Sequence, residues 1–262
     1  MTKKKYKIST ISYINTFPFL YLLEKKGKDF FDIEIDYPSK CAEKLLYDKV
    51  DIGLIPVAAI TELPYAEIIT NYCIGANGKV NTVALLSNDK IEDIESIYLD
   101  YQSKTSVNLM RILAIEYYKK DINWITTKPG FEQLQLPEKC GMVIIGDRVF
   151  EMESKFKYKY DLAEEWEKHT GMPFVFAAWV TNKKLPTKVK ERLNKIFSDI
   201  DKIIELSIDK YSTESISDEK RDILIDYLTN NIVYHKSPDM KSAMERFLST
   251  VIQLSKPIKT NF

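Results

Sequence analysis

Short apolar segments alternate with helix-period segments along the first two-thirds of the chain, with only a few residues between one and the next. Residues 6–9 read as a strand, and 15–25 as a helix with Phe19, Leu20, Leu22 and Leu23 on its apolar side. Phe31-Asp32-Ile33-Glu34-Ile35 alternates like a half-buried strand, 41–47 is helical, and 52–55 is a buried strand. Extended segments at 68–74 and 80–86 follow, then strand 97–99, helix 105–118, strands 122–126 and 142–145, and helix 161–169. Pro173-Phe174-Val175-Phe176-Ala177-Ala178-Trp179-Val180 is one apolar run, after which 187–206, 217–229 and 238–254 read as helices. Such alternation with short joins predicts an α/β fold with mainly parallel sheet. Two extended stretches, near 80–88 and 174–182, predict crossover strands between two bodies. The expectation is a two-lobed clamshell: lobe I from residues 1–86 plus 183–262, and lobe II, 87–182, inserted and including the crossover near 174–182. A cleft at such a hinge, at the ends of the sheets, is where α/β proteins bind ligands.

The 262 residues, 45% hydrophobic, suffice for one large core or two smaller ones. Lys+Arg and Asp+Glu are 38 each, so no basic excess points to a nucleic-acid partner. No apolar run approaches the ~20 residues of a membrane span. The basic start Lys3-Lys4-Lys5 leads into Tyr6-Lys7-Ile8-Ser9-Thr10 and not into an apolar leader core, which predicts a cytoplasmic protein without a membrane partner. Cys41, Cys73 and Cys140 are scattered and lack CxxC spacing, so they read as reduced structural thiols. His169 fits a helix C-terminus and His235 a polar strand, and with these two no Ser-His-Asp or metal spacing arises.

The segment richest in donors is Asp100-Tyr101-Gln102-Ser103-Lys104-Thr105-Ser106. Ser103, Thr105 and Ser106 crowd a helix first turn, where N–H groups are unpaired and the dipole is positive. Either one of them simply caps the helix, or together they hold a carboxylate or phosphate. Upstream, Ser12, Asn15 and Thr16 each suit an N-cap; the functional reading places the Asn15 amide and the Ser12 hydroxyl at the cleft. Asn77-Gly78 reads as a hairpin turn, and Gly75 and Ala76 are small enough to let a ligand approach the backbone. In Val143-Ile144-Ile145-Gly146-Asp147-Arg148, Asp147 either caps the next helix or joins the Gly146 N–H at the sheet end that carries Ser103 to Ser106. Gly27, Gly130 and Gly141 read as ordinary turns.

Five segments in this order resemble the chorismate dehydratases of the futalosine route to menaquinone. They are Ser12-Tyr13-Ile14-Asn15-Thr16, Asp51-Ile52-Gly53-Leu54-Ile55-Pro56-Val57, Leu99 through Ser106, Ile144-Ile145-Gly146-Asp147, and Tyr160-Asp161-Leu162 through Gly171-Met172-Pro173 to Trp179. They span most of residues 1–182, whereas the C-terminal helices match only in general character. The family's Arg between the hydroxyls is Lys104 here, which removes bidentate chemistry from that side chain. The resemblance implies a type II periplasmic-binding-protein fold and cofactor-free conversion of chorismate to 3-[(1-carboxyvinyl)oxy]benzoate and water. It also implies two carboxylate-binding places. Ser103, Thr105 and Ser106 are assigned to one; the turns at Gly75-Ala76 and around Ser12 are candidates for the other. Gly146 and Asp147 are expected at the substrate, and Asn15 is expected to act on it in catalysis. Two other readings share the fold. A non-catalytic carboxylate-binding or sensing protein is expected to carry a leader. The sister dihydroxynaphthoate synthase is expected to show a Ser-Pro-Cys-Pro-Asn-Asp-like opening and a catalytic His, and residues 9–18 lack that opening.

Overall fold

The computed structural model describes residues 5–212 and 216–254. The basic residues Lys3 and Lys4, and residues 255–262 of the expected first lobe, lie outside the described residues. In chain order the strands are β1 (Tyr6–Ile11), β2 (Phe31–Asp36), β3 (Ile52–Pro56), β4 (Glu67–Ala76), β5 (Val83–Ser87), β6 (Ser96–Leu99), β7 (Asn123–Thr126), β8 (Cys140–Ile145), β9 (Tyr158–Asp161), β10 (Phe174–Thr181) and β11 (Val233–His235). They form a six-stranded sheet, β11-β4-β10-β3-β1-β2, and a five-stranded sheet, β7-β6-β8-β5-β9.

Each sheet is mixed, where the alternation predicts mainly parallel pairing. β1 lies parallel to β2 and β3, but β10 runs antiparallel to β3 and β4. In the second sheet β6 is parallel to β7 and β8, while β5 is antiparallel to β8 and β9. β5 and β10 each receive the chain as it passes from one sheet to the other, and β11 at the edge of the first sheet is antiparallel to β4 as well. The run 174–181, expected as a connecting crossover, is an interior strand of the first sheet, buried at every position. Its unbroken apolar run is what burial on both faces requires. β5, placed in the expected first lobe, is an interior strand of the second sheet. No hairpin forms at Asn77-Gly78: β4 pairs with β10 and β11, and β5 with β8 and β9. The turn is real, with Gly78 at φ +88°, but it passes the chain from one sheet to the other. Gly141 is likewise no turn. It lies in β8 opposite Ser87, where a Cβ would sit 2.7 Å from Leu85 Cδ1.

Helices α1 (Phe17–Leu22) and α2 (Pro38–Leu46) follow β1 and β2. α3 (Lys104–Ile112), α4 (Arg148–Met152) and α5 (Leu162–Thr170) belong to the second sheet. Asp161 caps α5 through Ala163 N and Glu164 N, and Gly171, at φ +69°, ends it. The same carboxylate accepts from Val80 N and Asn81 N, which fixes the passage into β5. The expected helix 187–206 is two helices, α6 (Thr187–Phe197) and α7 (Ile204–Tyr211), with a 3₁₀ turn between them. Asp199 sits at the break and holds Lys26 and Lys202. α8 (Asp218–Asp226) and α9 (Pro238–Leu254) are the last helices among the described residues. Edge-on contacts of Phe19 with Trp179, Phe197 and Tyr234 centre the core under the first sheet. Among the described residues no helix is long and apolar enough to cross a membrane.

Candidate functional site

The joins β1–α1, β6–α3 and β8–α4 meet between the two sheets around a cavity. Asn15, Ser103, Ser106 and Gly146 line it, together with Tyr13 and Thr82 and apolar walls that include Pro56, Ile74 and Phe176. Among the described residues, no lining side chain carries a formal charge. An anion here is met by hydroxyls, an amide and a helix N-terminus inside a largely apolar wall.

The α3 terminus is both cap and site. Ser103, extended at φ −136° and ψ 111°, accepts from Ser106 N at 3.3 Å, and Ser106 Oγ lies 3.1 Å from Ser103 Oγ. Both hydroxyls still line the cavity. Thr105 points elsewhere: its Oγ1 is buried and accepts from Ala58 N at 3.1 Å, tying α3 to the segment after β3. Lys104 turns outward into an ion pair with Glu62.

Asn15 sits in the turn before α1, which no side chain caps. Thr16 instead folds the turn back on itself, donating to Ile11 O at 2.6 Å and Tyr13 O at 2.7 Å. Ser12 is exposed and outside the cavity lining. Gly75 and Ala76 are buried in β4 and are not lining residues. A Cβ on Gly75 would come within 2.8 Å of both Met240 Cε and Phe174 O, so the space beside it is taken by protein. The Gly146 N–H is also occupied, donating to Thr82 O at 2.8 Å. Gly146 is required here on two counts: φ is +67°, and a Cβ would meet the Tyr13 ring at 2.9 Å.

Asp147 follows Gly146 at the expected sheet end, but is not itself a lining residue. It makes no cap bond to α4. Both its oxygens accept from Ile14 N at 3.2 Å, a strap between the two sheets beside Asn15. Burial pushes its carboxyl up to about 6.

The sequence reading missed the support behind the wall. Asp100 is buried and accepts from Gln102 N at 2.9 Å, Ile145 N at 3.1 Å and Arg148 at 2.5 Å. Burial raises its carboxyl to about 6 against the pull of Arg148. It staples the turn that presents α3 onto the end of β8. Tyr13 closes the wall by donating to Gln102 Oε1, and burial raises its phenol above the ordinary range. The available signal was Asp100, directly after β6, and Arg148, at the start of the helix after β8.

A chorismate dehydratase of Campylobacter jejuni subsp. jejuni is 28% identical over 247 residues, covering 91% of this chain and 94% of that protein. A solved structure from Archaeoglobus fulgidus superposes with a TM-score of 0.71 at 16% identity, covering 95% of this chain and 97% of that one. The periplasmic aliphatic sulphonate-binding protein of Escherichia coli gives 0.62 at 9% identity, covering 96% and 93%. These likenesses show a periplasmic-binding-protein-like α/β fold. The profile of the family described as menaquinone biosynthesis matches residues 6–252, which takes in both sheets, the cavity and the helices beneath it. This chain therefore belongs to the menaquinone biosynthesis family.

Proposed function

We propose that this protein is a chorismate dehydratase, a hydro-lyase that converts chorismate to 3-[(1-carboxyvinyl)oxy]benzoate and water. The observation that carries this reading is the cavity itself: neutral donors and a helix N-terminus, in an apolar wall, between two sheets. The full-length similarity to a named chorismate dehydratase supports the same substrate. In the same reading the two sheets head two lobes, joined near residues 77–82 and 171–173. Cys41, Cys73 and Cys140 are free and buried, which suits a reducing cytoplasm.

The reaction removes the proton on C3 and the hydroxyl on C4, and the ring becomes aromatic. The C3–H electron pair forms the new ring double bond as the C4–O bond breaks. Among the described residues the lining offers no carboxylate and no His as a base. The enolpyruvyl carboxylate of the substrate is tethered to C3 through one oxygen and accepts the proton with a high effective concentration. That proton then accompanies the departing hydroxide as water. Ser103, Ser106 and the α3 N-terminus bind one carboxylate. Asn15 hydrogen-bonds the departing hydroxyl. Asp147 is a strap between the sheets, not the base.

The test is incubation of the purified protein with chorismate, followed by chromatography and mass measurement. An aromatic product lighter by one water is expected. Chorismate that stays unchanged while still binding overturns the reading and favours a sensor of the same fold.

A further inference from the structure

Tyr13 belongs to the first sheet by sequence and to the second by contact. It follows β1, in the turn before α1, and lines the cavity. Its hydroxyl donates to Gln102 Oε1 in the β6–α3 join. Its ring lies face-on to Gly146 in the β8–α4 join. A Cβ on Gly146 would stand 2.9–3.0 Å from Cζ, Cδ2 and Cε1, and a point that close to atoms on opposite sides of the ring lies above its plane. The next residue, Ile14, donates its N–H to Asp147 in the same join. Gln102 is itself fixed. Its N–H donates to Asp100 at 2.9 Å, its carbonyl accepts from Ser39 N at 3.0 Å, and its amide nitrogen donates to the Tyr101 hydroxyl at 2.6 Å.

Asn15 rides on this anchorage. Tyr13 O accepts from Thr16 N at 2.9 Å and from Thr16 Oγ1 at 2.7 Å, so residues 13–16 form one tight turn. On its own sheet the turn is tied by Thr16 Oγ1 to Ile11 O, and by Tyr234 of β11, whose hydroxyl donates to Asn15 O at 3.0 Å. Ser103 and Ser106 stand on the other sheet, at the start of α3. No short stretch of chain joins Asn15 to them, so their alignment depends on contacts made across the gap. A misplacement of about 1 Å is enough to cost a reaction much of its rate. Tyr13 makes two of those contacts, two residues before Asn15.

We propose that Tyr13 is a positioning residue: docked on Gly146 and Gln102, it holds the turn that carries Asn15 in register with Ser103 and Ser106. The proposal rests on the dehydratase reading, in which Asn15 and the α3 terminus act on one substrate.

Tyr13→Phe keeps the ring on Gly146 and removes the bond to Gln102. With chorismate as substrate, kcat is expected to fall about tenfold while KM changes by less than about threefold. Gln102→Met, which leaves Tyr13 intact, is expected to do the same, and the double variant to lose about tenfold and not about a hundredfold. In an Asn15→Ala background Tyr13→Phe is expected to cost less than about twofold, because the group it positions is gone. Unchanged kcat in Tyr13→Phe, multiplied losses in the double variant, or an equal loss with and without Asn15 overturns the proposal. A loss confined to KM overturns it too, and makes Tyr13 a substrate contact. If Tyr13→Phe does not fold, Gln102→Met with and without Asn15→Ala carries the comparison. Amide hydrogen exchange gives a readout without turnover. The Ile14 and Thr16 N–H groups are expected to exchange at least about tenfold faster in Tyr13→Phe, and Ser106 N–H, inside the α3 cap, at the wild-type rate. Equal exchange at Ile14 in the two proteins overturns the docking. If the wild type does not convert chorismate, the dehydratase reading falls, and exchange at Ile14 and Thr16 decides alone whether Tyr13 holds the turn.

Discussion

Ser103, Thr105 and Ser106 show how residues of one chemistry part company over four positions. Residues three apart on a helix share a face, so Ser103 and Ser106 meet at the cavity while Thr105 is turned away. Thr105 serves the neighbouring segment through Ala58 N. Ser106→Ala is therefore expected to weaken substrate binding by roughly 1.5–3 kcal/mol, the range for a hydrogen bond to a charged group. Thr105→Val is expected to lower stability and leave affinity nearly intact. Calorimetric titration and thermal denaturation of the two variants separate these outcomes. An affinity loss confined to Thr105→Val contradicts the assignment. The hydroxyl cluster was legible as a helix start, because Ser and Thr ahead of an apolar-periodic run are what capping prefers. Its division of labour was not, since that depends on where Ala58 comes to rest. Asp147 was legible as a turn residue beside the site, but not as the partner of Ile14 N, 133 positions away.

At the scale of elements, the apolar periodicity located nearly every strand and helix, and it misled where pairing is decided at long range. Asn77-Gly78 has hairpin chemistry, yet β4 is claimed by β10 and β11 and β5 by β8 and β9. The run 174–181 was legible as buried and extended. Its place between β3 and β4 depends on a chain return that no local pattern records. The C-terminal helices carried no recognisable motif, yet this region supplies Tyr234, which donates to Asn15 O, and Tyr227, which meets Thr82. Two glycines at element ends make a matched test. Gly171 ends α5 at φ +69°, and a Cβ there would meet nothing within 4 Å, so Gly171→Ala costs only backbone strain, about 1–2 kcal/mol. Gly146 has nearly the same φ, but a Cβ there collides with the Tyr13 ring. Gly146→Ala is expected to destabilise more than Gly171→Ala in urea denaturation and to reduce turnover as well. Equal losses contradict the packing of Tyr13 on Gly146.

For the molecule as a whole, the bonds between the joins of the two sheets include Tyr13 to Gln102, Ile14 to Asp147, Ser39 N to Gln102 O, Ala58 to Thr105 and Lys104 to Glu62. Asp147 makes this arrangement sensitive to pH. Its carboxyl titrates at about 6, above its ordinary 3.8, so protonation favours the folded state. The stabilisation is fully present below 3.8 and is lost as pH rises through about 6. It amounts to something on the order of 3 kcal/mol across that window. The Tm difference, Asp147→Asn minus wild type, is expected to rise from pH 4 to pH 7 by several degrees Celsius and then level off, with turnover retained at pH 7 (roughly 2–4 °C per kcal/mol for a chain this size). A flat difference contradicts the buried strap, and abolished turnover with folding and binding intact makes Asp147 the base.

The central claim is that chorismate is dehydrated in the cavity that Asn15, Ser103 and Ser106 line. It is tested most directly by measuring chorismate binding and product formation side by side for the wild type and Asn15→Ala. The wild type is expected to release 3-[(1-carboxyvinyl)oxy]benzoate. Asn15→Ala is expected to bind chorismate with similar affinity and to lose most of kcat. Wild-type turnover in the Asn15→Ala variant, or no turnover by the wild type itself, contradicts the account.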